Sequence, residues 1–279
     1  MRGARSPLKA SNRFWRGWTS KAAVSLIAVL ALGALLAPYL APYDPNAMDL
    51  MNTLAPPSRE HPLGTDQSGR DVLSRLLYGG RVSMLVGLAS MAASIVIGSV
   101  LGALAGYWGG WVDSLISRAT DMMLSVPMFF FLLTVLSILG SSMPILVIAI
   151  ALSNWMQVAR MVRAEVLANK NLAFVESATA LGLTRARTLA RHILPQSLPT
   201  IIVAATLGIA YAILTESALS YLGIGVTPPT PSWGNMLADA RSYIWVSPLL
   251  TLWPGVMIFI TVLAFNALGD TLRSATDPT

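Results

Sequence analysis

The 279-residue chain contains no cysteine and only two histidines, His61 and His192. Disulfides and thiolate metal sites are excluded, and two histidines so far apart do not make a histidine-rich metal site. Charge is scarce as well. Lys, Arg, Asp and Glu make up 11% of the residues, against about 25% in a soluble domain. A hydrophobic share of 54% excludes a disordered chain, which needs low hydrophobicity and high charge. The same deficit excludes an ordinary soluble enzyme of this size. The lysines are Lys9, Lys21 and Lys170, and none follows a glycine. A phosphate loop of the type Gly-x4-Gly-Lys-Ser/Thr is therefore missing, so the energy for any ATP-driven process must come from a partner.

What is present is a series of long apolar stretches. A bilayer-crossing helix needs about 20 mostly apolar residues. Segments without Asp, Glu, Lys or Arg predict spans at 22–41, 82–107, 122–139, 143–159, 197–222 and 248–268, the fifth interrupted only by Glu216. The turn Gly140-Ser141-Ser142-Met143-Pro144 separates the third from the fourth. The expected fold class is all-α, a polytopic membrane protein with six transmembrane helices. Pro127 and Pro254 are expected to kink the third and sixth spans.

Six spans put both termini on one side, and the positive-inside rule chooses the side. With the N-terminus inside, the inner segments hold 14 basic residues: Arg2, Arg5, Lys9, Arg13, Arg16, Lys21, Arg118, Arg160, Arg163, Lys170, Arg185, Arg187, Arg191 and Arg273. The outer segments hold 5: Arg59, Arg70, Arg75, Arg81 and Arg241. That partition accounts for all 19 and leaves no Lys or Arg in a span. Both termini are thus expected in the cytoplasm, and the basic pI of about 10.0 reflects topology instead of nucleic-acid binding. Residues 1–21 read as a cytoplasmic basic and aromatic segment, with Phe14, Trp15 and Trp18 as an interfacial anchor. The apolar run that follows is longer than the 7–15 residues of a signal peptide. It reads as a retained first span, 22–41, followed by an outer loop, 42–81, and a core over 82–279.

Gly98, Gly102 and Gly106 recur every four residues in the second span. Such glycines lie on one helical face and permit close helix packing, within the chain or between subunits. Glu216 is the one ionisable residue inside a span. Nine Leu, Ile and Val neighbours contribute about −0.3 to −0.6 kcal/mol each against about +3 for a central acid, so the helix still inserts. The carboxyl must then face protein or water. It is a candidate for the pathway or a gate, with a structural hydrogen-bond role as the alternative. Asn154 and Gln157 in the fourth span raise the same question.

The most organised polar segment is the inner loop 165–195. Asn171 can cap a helix through Phe174–Leu181, Gly182 stands where a C-terminal glycine belongs, Thr184 can cap a second helix over 185–193, and Pro195 limits it. The result is a compact knob held between two spans. Glu176-Ser177-Ala178, then Gly182, then Leu194-Pro195 resembles the EAA loop of permease subunits of bacterial ABC importers. Ser177 stands for the family's alanine, and His192 where the strict pattern has isoleucine. Three more blocks resemble the dipeptide, oligopeptide and nickel group, second permease: His61-Pro62-Leu63-Gly64-Thr65-Asp66 with Gly69-Arg70-Asp71; Gly106 to Asp113; and Glu216 to Gly223.

The resemblance implies the type I importer permease fold, coupling of the knob to an ATPase through Glu176, Ser177, Ala178, Gly182, Leu194 and Pro195, and transport of peptides or, alternatively, nickel or another small solute. It implies as partners a second homologous permease, two ATP-binding subunits and an extracytoplasmic binding protein. The chain itself is expected to be no enzyme and to hold no cofactor or metal, ATP and Mg being bound by the partner ATPases. The implied location is the bacterial inner membrane. An intramembrane protease does not fit, because neither histidine lies in a span and no second intramembrane acid pairs with Asp270. An ion-coupled carrier built on Glu216 would leave the knob without a task. His61, Asp66 and Arg70 either shape the outer face or fold the loop.

Overall fold

A computed structural model describes residues 17–276. The basic residues before Gly17, and Phe14 and Trp15 of the proposed anchor, lie outside the described residues. Among the described residues the secondary structure is helical, with one isolated bridge between Thr65 and Asp71.

The chain runs through α1 (Trp18–Leu35), a single turn α2 (Ala37–Leu40), α3 (Val72–Trp108), α4 (Gly110–Ser125), α5 (Met128–Leu139), α6 (Met143–Asn169), α7 (Ala173–Ala180), α8 (Arg185–Thr188), α9 (Leu198–Tyr221), α10 (Trp233–Ala240) and α11 (Leu249–Thr276). Helices are the required solution here, because a backbone in hydrocarbon must satisfy its own hydrogen bonds. Five helical segments are long and apolar enough to cross a membrane, and a sixth arises if the bent pair α4–α5 is one span.

The boundaries differ from the sequence expectation where polar residues extend a helix. The second span begins at Val72 because the Asp71 side chain accepts the Ser74 amide at 2.7 Å and caps the helix ten residues before the apolar body. At 37 residues α3 is about 55 Å long, more than the ~30 Å hydrocarbon core needs. The fourth helix likewise continues past Ala159 to Asn169.

Two expectations are corrected. The third span is not one kinked helix over 122–139 but two helices bent by 87°. Val126 is extended (φ −85°, ψ 127°), the conformation that a following proline imposes, so Pro127 breaks the helix outright. The second correction is at Pro195, which does not end the knob. A π turn over Leu189–Ile193 and a 3-10 turn over Leu194–Ser197 carry the helical path onward into α9. Pro195 sits in the first positions of that 3-10 turn, where a missing N–H costs no bond. Pro254 lies within α11 without ending it.

The glycine face of α3 packs inside this chain, against α6. A Cβ on Gly98, Gly102 or Gly106 would come within 2.6, 2.3 or 2.9 Å of the carbonyl oxygens of Trp155, Ala159 and Arg163. Gly87 and Gly208 bring α3 equally close to α9, at Ile213 and Met91. The core is thus a bundle of α3, α6 and α9, with α11 and α1 closing one side around Leu30, Met84, Ile213, Ile258 and Phe265.

Candidate functional site

Three regions hold the residues singled out by the sequence. The first is the knob. Val175 of α7 and Leu189 and Ile193 of the π turn are buried with Ala103 of α3, Val162 and Val166 of α6, and Ile201 of α9. Lys170 Nζ donates to the Gly106 carbonyl at 3.1 Å. Two ion pairs brace the adjoining end of the bundle, Arg163 with Asp113 of α4 and Arg160 with Asp121. The knob is therefore packed on the ends of three core helices and cannot shift without them.

Its far side is open. Glu176, Ser177 and Pro195 are exposed, and Leu181 at the elbow is 82% exposed. Ala178 is buried and Leu194 half-buried, so these two hold the knob in place instead of offering a surface. Gly182 has φ +82° and no atom within 4 Å of a Cβ position. Its requirement is the left-handed backbone, not space. Thr184 precedes α8 with an extended backbone, and its side chain makes no cap bond.

The second region is a cavity of about 850 Å³ between α6, α9 and α11. Asn154, Gln157, Gln196, Thr200, Tyr211 and Asn266 line it with polar groups, among Met91, Val203, Leu207 and Leu214. Glu165 and Arg273 stand at one end of that wall, one to three turns beyond Gln157 and Asn266 along their helices. The Glu165 carboxyl accepts the Thr200 hydroxyl at 2.8 Å. Asn154 was expected on a pathway from its polarity alone and does border the cavity. Thr200, Tyr211 and Asn266 were not expected. Each is a single polar residue on an otherwise apolar helix, and only the packing reveals that they share a wall.

The third region is the opposite end. Glu216 is fully buried and does not border the cavity. Its carboxyl accepts the hydroxyls of Ser83 at 2.8 Å and Ser220 at 2.7 Å, with Ser217 at 3.4 Å. Nearby, a cluster of charges folds the loop 41–71. Arg70 Nε donates to Asp66 at 2.7 Å and Nη2 to Asp239 of α10 at 3.3 Å. Arg75 reaches the same two carboxylates at 3.4 and 3.7 Å. His61 Nδ1 lies 2.9 Å from Asp71 Oδ1. His61, Asp66 and Arg70 are thus all engaged within the chain, as a loop-folding role requires. Asp49, on the same loop, has its carboxyl held below the usual range by the Asn52 side-chain amide.

Comparisons with known proteins identify the family and the fold. Residues 98–279 match the family described as "Binding-protein-dependent transport system inner membrane component", and residues 7–57 match the "N-terminal TM domain of oligopeptide transport permease C". The nickel transport system permease protein NikC of Escherichia coli (strain K12) is 41% identical over 261 residues, covering 94% of each chain. The glutathione transport system permease protein GsiD of Pectobacterium atrosepticum is 42% identical, over 95% of this chain and 89% of its own. The dipeptide transport system permease protein DppC of Alkalihalophilus pseudofirmus is also 42% identical, over 91% and 83%. Among solved structures, a chain of the inward-facing MetNI methionine ABC transporter superposes with a TM-score of 0.58. It is 19% identical and covers 73% of this chain and 97% of its own, a likeness of fold.

Proposed function

The chain belongs to the family of binding-protein-dependent transport system inner membrane components, and from that premise we propose which partners, orientation and cargo it has. It is a multi-pass permease subunit of a bacterial ABC importer and not itself an enzyme. Membership implies work alongside another permease, an ATPase and a binding protein. The finer reading is a second homologous permease that completes the pathway, two ATPase subunits beneath the knob, and an extracytoplasmic binding protein above the opposite end. ATP and Mg would be held by the ATPases. Both termini would lie in the cytoplasm, which the 14-to-5 distribution of Lys and Arg supports.

The observation that carries the coupling role is the knob's two-sidedness. One side is buried against α3, α6 and α9. The other presents Glu176 and Leu181 to whatever lies beyond. A push on Glu176, Ser177 and the Gly182 elbow would be passed through the buried Ala178 and the half-buried Leu194 into α3, α6 and α9, of which α6 and α9 carry much of the cavity wall. Pro195, exposed at the base of the knob, would not interrupt that path, because it sits in the first positions of the 3-10 turn.

The cargo we favour is a peptide. The cavity wall offers carboxamides and hydroxyls at Asn154, Gln157, Asn266, Thr200 and Tyr211, groups that donate to and accept from amide bonds. Its one carboxylate is already engaged by Thr200. A nickel complex is the second reading, because the nickel permease is as similar as the dipeptide permease. ATP-driven uptake by vesicles containing the assembled complex, given labelled dipeptide or nickel in parallel, tests the choice. Peptide uptake that needs ATP and survives collapse of the proton gradient is expected. Uptake of nickel alone would reverse the choice of cargo, and uptake driven by protons would overturn the importer reading.

A further inference from the structure

We propose that Glu216 is a positioning residue that fastens the segment 222–240, between α9 and α11, to the ends of α3 and α9, so that this segment moves with α9. Two hydroxyls carry the argument. Ser83 of α3 donates to Glu216 Oε2 and accepts the backbone amide of Trp233 at 3.2 Å. Ser220 of α9 donates to Glu216 Oε1 and accepts the backbone amide of Val226 at 2.9 Å. A hydroxyl has one proton to give. With both protons committed to the carboxyl, both oxygens present lone pairs to the segment's amides. One acid on α9 therefore sets the direction of two relays, which end at the two sides of the segment.

The rest of the segment is built around those two points. Ser232 and Asn235 form a reciprocal cap at the start of α10, and Asn235 Nδ2 donates to the carbonyls of Val226 and Thr230. Trp233, 1% exposed, donates its indole N–H to the Leu76 carbonyl at 3.0 Å. A Cβ on Gly234 would lie 2.6 Å from the Ser217 carbonyl, which brings α10 directly onto α9.

A carboxamide replaces the acid only at one of the two serines. Its NH2 would face the other, whose proton would lose the carboxyl as acceptor and turn elsewhere, and whose oxygen would be shared between the NH2 and the segment's amide. That relay is weakened. The position also matters. Residues 185–221 form one helical path from the knob upward, so Glu216 sits about 45 Å along it from Arg185. Displacement of the knob would reach the far segment through this fastening, a consequence that rests on the coupling role proposed above.

Amide hydrogen exchange on the assembled transporter tests the fastening. In Glu216→Gln, exchange at Trp233 or at Val226, whichever serine the carboxamide NH2 faces, should rise at least tenfold, while the α3–α6 interface keeps its protection. Ser83→Ala should loosen Trp233 and leave Val226 protected, and Ser220→Ala the reverse. Basal ATPase activity should persist in Glu216→Gln and its stimulation by the loaded binding protein should fall several-fold. Wild-type exchange over 222–240 in Glu216→Gln would overturn the proposal. So would a uniform loss of protection across α3, α6 and α9, which marks a general core residue, and so would full stimulation despite a loosened segment. A wild-type complex that protects the segment yet shows no ATP-driven uptake would sink the functional reading and leave the fastening intact.

Discussion

Gly102 of α3 lies so close to Ala159 of α6 that a Cβ on the glycine would stand 2.3 Å from the alanine's carbonyl oxygen. The obstacle is backbone, which cannot rotate aside. Gly102→Val must therefore push the two helices apart, at a cost of ~1–3 kcal/mol. The expected readout is a lower thermal midpoint for the purified complex. The ion pairs from α6 to Asp113 and Asp121 of α4, and the cavity wall, would be displaced with it, so uptake should fall as well. An unchanged midpoint would show that α3 and α6 do not pack this way in the membrane.

Gly182 makes a contrasting case, since open space surrounds it and only its φ of +82° restricts substitution. Gly182→Ala should cost about 1 kcal/mol and act on the knob alone. Gly182→Asp adds a charge to the exposed elbow. Together with Glu176→Lys, it should leave the subunit inserted and assembled in the membrane while stimulated ATPase activity and uptake drop at least tenfold. Normal transport by both variants would remove the coupling role from the knob.

The Asp66 carboxylate holds two guanidinium groups, Arg70 at 2.7 Å and Arg75 at 3.4 Å, both nearly buried. Asp66→Ala leaves those two cations with Asp239 as their shared acid. Breaking such a buried arrangement from one side costs about 3–5 kcal/mol. Protease cleavage within residues 41–71 should become faster, with little change at the knob. A loop as resistant as wild type would show that the charges do not hold it.

Asn154 and Gln157 stand one turn apart on the cavity wall. Gln157→Leu keeps the volume and removes the hydrogen-bonding end. Peptide uptake should decline several-fold, with stimulated ATPase activity kept, because the knob is untouched. Asn154→Leu should do the same; it also removes the 3.0 Å bond from Asn154 Nδ2 to the Ile150 carbonyl, which keeps the Ser153 hydroxyl. Equal loss of uptake and stimulation would place these residues in the coupling path instead of on the solute's route.

Much was legible in the chain before folding. Where a property depends on local composition, the sequence determined it: the apolar stretches, the absence of basic residues from them, the glycine elbow and the missing phosphate loop. The cap expected from Thr184 did not form, since its side chain makes no bond to α8. Bilayer thickness and backbone hydrogen bonding act on each stretch independently, so each can be read alone. His61, Asp66 and Arg70 could be singled out as residues that shape the outer face or fold the loop, but Asp239, the acid that Arg70 and Arg75 share from 169 residues past Arg70, could not. Tertiary structure alone decided the rest. The glycine face could have met another subunit and meets α6. Pro195 looked like a stop and sits instead in the first positions of a 3-10 turn that follows a π turn, where the packing of Leu189 and Ile193 against α3, α6 and α9 keeps the path helical. Glu216 read as one charge in an apolar helix. Its partners come from α3 and from its own next turn, and Ser83 lies 133 residues away. Long-range pairing of this kind leaves no local signal, since a serine that caps a distant amide is written no differently from one that faces solvent.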